Sequence, residues 1–169
     1  SIEANLAKDG QMNESFMSTK LGLKGSPAAA EDVIIARDIM LAELTGAHLH
    51  VGHLSTKGGI RLVREAKKRG IRVTCEVTPH HFTLTDENLS AYDTNFKMCP
   101  PLRSAEDVDA IREALREGGV IDAIATDHAP HGVIDKEIEF DKAANGIIGF
   151  ETALPLSLDL ARQKIITLA

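Results

Sequence analysis

Basic residues are in deficit in this sequence: 19 lysines and arginines stand against 25 aspartates and glutamates, for a formal net charge of −6 at pH 7. They are scattered through the helical segments and form no stripe that could neutralise phosphates, so nucleic acid is not an expected partner. Cysteine is scarce too. Cys75 and Cys99 are the only two, they make no CxxC pair, and so few give no sign of a disulfide framework, which fits a reducing cytoplasm. No apolar run approaches the roughly 18–20 residues of a membrane span, and the polar opening Ser1-Ile2-Glu3-Ala4-Asn5 is not a signal peptide. Internal repeats and low-complexity segments are absent. So is an initiator methionine, and the sequence stops in the apolar stretch Lys164-Ile165-Ile166-Thr167-Leu168-Ala169 without a capping or polar tail. The expectation is a single partial domain over residues 1–169, a piece of a longer chain.

What is present is a globular composition with 43% hydrophobic residues, enough to bury a core. Ser26-Pro27 reads as an N-cap and a first-turn proline, after which Val33, Ile34, Leu41 and Leu44 recur at helical spacing until Gly46 supplies a stop. Residues 47–53 form a short, mostly apolar run. Ser55-Thr56 then caps a second helix that carries Ile60, Val63 and Ala66 and ends at Gly70. The strand pattern returns at 71–77, a helical one at 107–116 with Val108, Ile111 and Leu115, and a third strand at 120–126. Strands alternating with helices of this length predict βαβ units, a parallel sheet and an α/β fold. Three strands are too few to close a barrel. The connection between Val77 and Asp107 is long and holds Pro79, Pro100 and Pro101, and long loops in such folds tend to be functional.

The polar residues fall where such folds place active sites, at the C-terminal ends of strands. His53 ends the first strand, Asp127 and His128 end the third, and His80-His81 follow the second. Side chains two apart on a strand share a face, so Leu49, Val51 and His53 form one set and Ile121, Ala123, Ala125 and Asp127 another. By that parity His48 and His50 point away from His53 and belong beneath helices. His80 and His81 read as loop structure or as support for ligands rather than ligands themselves, Cys75 as core beside Val73 and Val77. Two bland readings stay open at this point: His53 as a strand-end or capping histidine, and Asp127 as a helix N-cap.

Four ordered motifs carry a resemblance: Gly52-His53-Leu54-Ser55-Thr56, Cys75-Glu76-Val77-Thr78-Pro79-His80-His81, Lys97-Met98-Cys99-Pro100-Pro101-Leu102-Arg103 and Ala125-Thr126-Asp127-His128-Ala129-Pro130-His131. Gly10-Gln11-Met12-Asn13-Glu14 and Gly146-Ile147-Ile148-Gly149-Phe150-Glu151-Thr152 extend it over nearly the whole chain. In these the sequence resembles the dihydroorotases, the longer-chain bacterial type within the amidohydrolase superfamily. The resemblance implies a (β/α)8 barrel of which this chain supplies about strands six to eight, with zinc as cofactor, one or two ions in the complete enzyme. It makes His53 the sixth-strand metal ligand and Asp127 the eighth-strand aspartate, both ligand and catalytic acid–base. It makes His131 a substrate contact and places Asn145 and Gly146 in a loop that receives the pyrimidine ring. Where many relatives carry asparagine, this chain has Cys99, whose thiol cannot replace both ends of an amide.

The reaction so implied is the reversible closure of N-carbamoyl-L-aspartate to L-dihydroorotate in pyrimidine synthesis, a small-molecule conversion needing neither nucleic acid nor membrane. Homodimerisation or association with aspartate transcarbamoylase is compatible with the family. Two other readings are a hydantoinase- or allantoinase-type cyclic amidase and a dihydroorotase-like scaffold subunit without activity. Two ligands do not close a zinc site, so the 169 residues alone are expected to be inactive.

Overall fold

The computed structural model describes residues 2–168; Ser1 and Ala169, the extremes of the sequence read above, lie outside the described residues. The chain opens with a two-residue strand β1 (Met12–Asn13), helix α1 (Phe16–Leu21) and a parallel partner strand β2 (Gly25–Ser26). Helix α2 (Ala28–Thr45) leads to β3 (Leu49–Val51), α3 (Lys57–Lys68) and β4 (Val73–Val77). A connection with two short 3-10 turns follows, then α4 (Ala105–Glu117), β5 (Ala123–Ile124), a single turn α5 (Val133–Lys136) and α6 (Phe150–Arg162). Strands β3, β4 and β5 pair side by side and in parallel, Val51 opposite Cys75 and Val77 opposite Ile124. The α/β class and the parallel sheet are thus as the alternation predicts.

Local chemistry sets most of the helix ends. Thr56 accepts from the Gly59 amide to start α3, and Ser104 and Asp107 form a reciprocal capping box on α4. Gly46 closes α2 in the left-handed conformation at φ 71°. Pro27, not Ser26, is the cap residue of α2; it makes no side-chain cap hydrogen bond, and the buried Ser26 hydroxyl has no partner. The apolar stripe of α2 also differs from the one read from spacing. Of the four positions named, only Ile34 is buried, whereas Val33, Leu41 and Leu44 are exposed and the buried face is Ala30, Ile34, Ile35, Ile39 and Ala42. Aliphatic residues lie all round this helix, so their spacing could not say which side packs.

One core lies between one face of the sheet and helices α2, α3 and α4. It holds Ile35 and Ile39 of α2, Ile60, Val63 and Ala66 of α3, Ile111 and Ala114 of α4, and Val51, Val73, Cys75 and Val77 of the strands. Leu49 and Ile121 pack against its edge. A second, smaller core of Met12, Leu89, Leu102 and Phe140 fixes the long connection beneath the start of the chain. The opposite face of the sheet is open: His48, His50 and Ala123 are exposed there. No helix among the described residues is long and apolar enough to cross a membrane.

Candidate metal and substrate site

The parity of β3 runs opposite to the sequence reading, whereas that of β4, with Val73, Cys75 and Val77 in the core, is as read. Leu49 and Val51 face the helices, and His48 and His50 lie on the open face with Thr74 and Glu76. His48 Nε2 and His50 Nδ1 stand 3.1 and 2.9 Å from Thr74 Oγ1, and His50 Nε2 stands 3.3 Å from Glu76 Oε2. His53 joins this polar face because it is not in the strand. Regular pairing stops at Val51, and His53 takes a left-handed backbone at φ 54° that reverses the alternation. Asp127 also has a left-handed backbone, at φ 45°, just past β5, whose Ala123 pairs with Glu76 and already lies on the open face. A non-glycine residue in that region costs about 1–2 kcal/mol, which the surrounding structure has to supply.

These two turns aim His53 and Asp127 at each other. His53 Nε2 lies 3.5 Å from Asp127 Oδ1, and His53 Nδ1 lies 2.8 Å from Glu76 Oε1, all three side chains being partly buried. Neither residue is a helix cap: α3 is capped by Thr56, and no helix begins at Asp127. His53 Nδ1 is buried, and the Glu76 oxygen, though at contact distance, is off the line of a hydrogen bond. A histidine nitrogen and a carboxylate oxygen, both acceptors when the proton sits on Nδ1, repel at 3.5 Å unless a cation lies between them. Two ligands of one tetrahedral zinc, each about 2.0–2.1 Å from the ion, are themselves roughly 3.4 Å apart. The pair therefore fits zinc. Among the described residues no group of three or more histidine, cysteine, aspartate or glutamate side chains is placed to hold a metal, so the pair is a partial site.

His131, Asn145 and Gly146 come together a short way off. His131 Nε2 and the Asn145 carbonyl oxygen are 2.9 Å apart, and Gly146 donates its amide to the Lys97 carbonyl at 2.9 Å. A Cβ on Gly146 would stand 2.4 Å from the Ala129 carbonyl oxygen and 2.8 Å from the His131 ring. The missing Cβ thus makes room for the chain's own segment around Ala129 and His131. Lys136 Nζ holds the same loop by donating to the carbonyls of Ala144 and Gly146, at 2.9 and 3.0 Å. Lys97 Nζ donates to those of Phe140 and Asp141. Burial lowers the pKa of both ammonium groups. Cys99 and Asn145 line one cavity of about 430 Å³ with Gln11, Met12 and Ser26, and neither His53 nor Asp127 is part of its lining. Cys99 is solvent-accessible, and the protein packed around its thiol raises its pKa.

Sequence reasoning missed two residues, Glu76 and Arg103, and left His80 with a general role. Glu76 is the carboxylate at the centre of the histidine cluster; its signal was a lone acid inside the otherwise uncharged strand Val73–Val77. His80 is buried, its Nε2 has no partner, and burial holds its pKa down to about 2. Arg103 belonged to a quoted motif without a role. It is buried, and it donates to Ser55 Oγ, Asn13 Oδ1, the Ser26 carbonyl and Glu31 Oε2 at 2.9–3.2 Å, so that three of the motifs meet on one guanidinium. His81 is structural as read: Nδ1 is 2.8 Å from Thr78 Oγ1, Nε2 is 2.9 Å from the Pro100 carbonyl, and burial holds its pKa to about 4.

Helices packed on one face of a parallel sheet, with polar residues turned toward each other at the strand ends, make an α/β fold with a candidate site at the C-terminal strand ends. Solved structures agree. L-hydantoinase (dihydropyrimidinase) from Arthrobacter aurescens superposes with a TM-score of 0.79 at 33% identity, over 85% of this chain and 32% of that one. Dihydroorotase from Saccharomyces cerevisiae, solved with 5-fluoroorotic acid, shares the fold at TM-score 0.71 and 20% identity, over 80% of this chain and 38% of that one. A family model described as dihydro-orotase-like matches residues 3–59. The dihydroorotase of Pelobacter propionicus is 58% identical over 167 residues, 99% of this chain and 39% of that protein. By sequence the chain is similar along nearly its whole length to dihydroorotases, and it spans about two fifths of the length of the curated relatives it matches.

Proposed function

We propose that this chain is the portion of a dihydroorotase barrel carrying about strands six to eight, and that the whole protein interconverts N-carbamoyl-L-aspartate and L-dihydroorotate. The observation that carries the reading is the convergence of His53 Nε2 and Asp127 Oδ1 at 3.5 Å, each on a left-handed residue at a strand end. His53 and Asp127 would hold zinc, with further ligands from outside this chain. Zinc, when bound, supplies Lewis acidity that polarises a carbonyl and makes water more acidic.

The rest of the chemistry falls to this chain's own groups. In the hydrolytic direction the oxygen of water bonds to the ring carbonyl carbon and the C–N bond breaks. Asp127 takes a proton from the water and delivers it to the departing amide nitrogen, the work of a positioned general acid–base. His131 faces the substrate, its ring fixed by the Asn145 carbonyl, and the Asn145-Gly146 backbone receives the pyrimidine ring. The cavity lined by Cys99 and Asn145 adjoins that loop, and at position 99 the thiol offers a weaker contact than an amide. The identity to dihydroorotases favours this substrate over a hydantoin.

The test uses a complete dihydroorotase carrying this segment. Zinc content and dihydroorotate hydrolysis are measured beside Asp127→Ala, which is expected to abolish turnover. Unchanged turnover in that variant, or a complete protein with neither zinc nor activity, refutes the reading. The isolated 169-residue chain is expected to turn over nothing.

A further inference from the structure

We infer that Glu76, itself braced by His50, is a positioning residue that fixes the ring orientation and protonation pattern of His53. The inference rests on His53 being a metal ligand. Polar side chains run in an unbroken file up the open face of the sheet: His48 to Thr74 at 3.1 Å, Thr74 to His50 at 2.9 Å, His50 to Glu76 at 3.3 Å, Glu76 to His53 at 2.8 Å and His53 to Asp127 at 3.5 Å. No other face of the sheet offers this; the opposite one is aliphatic.

Each member of the file narrows the choices of the next. Glu76 presents one carboxylate oxygen to His50 and the other to His53, so its plane is set from both sides. The negative charge of Glu76, 2.8 Å from Nδ1, favours the His53 proton on that nitrogen over Nε2, which leaves the Nε2 lone pair facing Asp127. Were the proton on Nε2 instead, His53 would donate to Asp127 and could not bind a cation there. A histidine ligand whose other nitrogen meets a carboxylate is both oriented and made more basic, and losing such a partner typically weakens metal binding about 10- to 100-fold. His53 lies past the end of β3, and the side chain that meets its Nδ1 is Glu76 of β4.

The experiment compares a complete dihydroorotase carrying this segment with Glu76→Gln, Glu76→Leu and His53→Ala. Zinc affinity is read by chelator competition, the ligand field by the visible absorption of the cobalt-loaded protein, and folding by the melting of the metal-free forms. The expected result is a zinc affinity about 10- to 100-fold weaker in Glu76→Leu, a smaller loss in Glu76→Gln, an altered cobalt spectrum in both, and unchanged metal-free melting. Affinity and spectrum unchanged in Glu76→Leu, with zinc lost in His53→Ala, overturn the inference and leave the functional reading intact. Zinc retained in His53→Ala overturns both. Should Glu76→Leu not fold, ¹⁵N shifts of His53 in the metal-free, unsubstituted protein decide: a proton on Nδ1 supports the inference and a proton on Nε2 overturns it.

Discussion

Replacing Arg103 by methionine should cost this chain about 3–5 kcal/mol of folding stability. Arg103 and Glu31 form an ion pair with side chains only 1% and 2% exposed. Glu31 also accepts from the Ser55 amide at 2.8 Å and from the Ser55 hydroxyl. Methionine fills most of the arginine's volume but leaves the Glu31 carboxylate without its counter-charge, and breaking a buried pair from one side costs about 3–5 kcal/mol. The Ser26 carbonyl and the Asn13 amide oxygen lose donors as well, a loss that water entering the space of the guanidinium offsets. Against a typical domain stability of about 5–15 kcal/mol, that takes much of the margin. Urea unfolding followed by circular dichroism reads it: with a slope of about 2 kcal/mol per molar, 4 kcal/mol moves the midpoint by about 2 M. Adding Glu31→Leu to Arg103→Met should recover at least ~1 kcal/mol, because the orphaned charge is gone. A single variant within about 1 kcal/mol of the unaltered chain, or a double variant worse than the single, would refute the argument.

Stability should fall on acidification through the buried histidines. His81 is held to about 4 in the folded chain, below its ordinary 6.5, so the unfolded chain binds the proton first. Its contribution is complete above pH 6.5 and is lost as pH falls toward 4, by about 2 kcal/mol between pH 7 and 5, and His80 acts in the same direction. Urea midpoints at the two pH values should differ less in His81→Gln; an identical slope argues against it. Thiol labelling of the native chain at pH 8 should modify Cys99 and spare Cys75, whose thiol burial pushes up to about 12; peptide mass analysis checks this, and rapid modification of Cys75 contradicts it. In the complete enzyme, Lys136→Met should raise KM for dihydroorotate about tenfold with less effect on kcat, since two charge-assisted hydrogen bonds to the Asn145-Gly146 loop are lost. An unchanged KM counts against that loop as the substrate's seat.

Where the chemistry is local, the sequence was readable. Thr56 capping α3, the Gly46 stop, Ile60, Val63 and Ala66 on one helical face, and Cys75 in the core follow from spacing and residue type alone. The side on which α2 packs was not readable, because its neighbours choose among aliphatic residues available all round. Parity named Asp127 with Ala123, which does lie on the open face, but it named His53 by grouping it with Leu49 and Val51, which face the helices. Alternation holds only while a chain stays extended, and both residues lie just past the point where it stops being so. The same error hid His50 and Glu76, which share a face with Thr74 and with the reoriented ring of His53. Arg103 was invisible in another way: its four partners come from segments up to 90 residues away in sequence, and only the folded chain brings them together.

The left-handed conformation of His53 and Asp127 sets two kinds of selection against each other. Glycine at either position would relax the backbone by about 1 kcal/mol and firm up the fold, and it would also erase the side chain that the bend exists to aim. A library of this chain screened for thermal resistance alone should therefore drift away from histidine and aspartate at these two positions, while one screened for metal retention should keep them and seek its stability elsewhere.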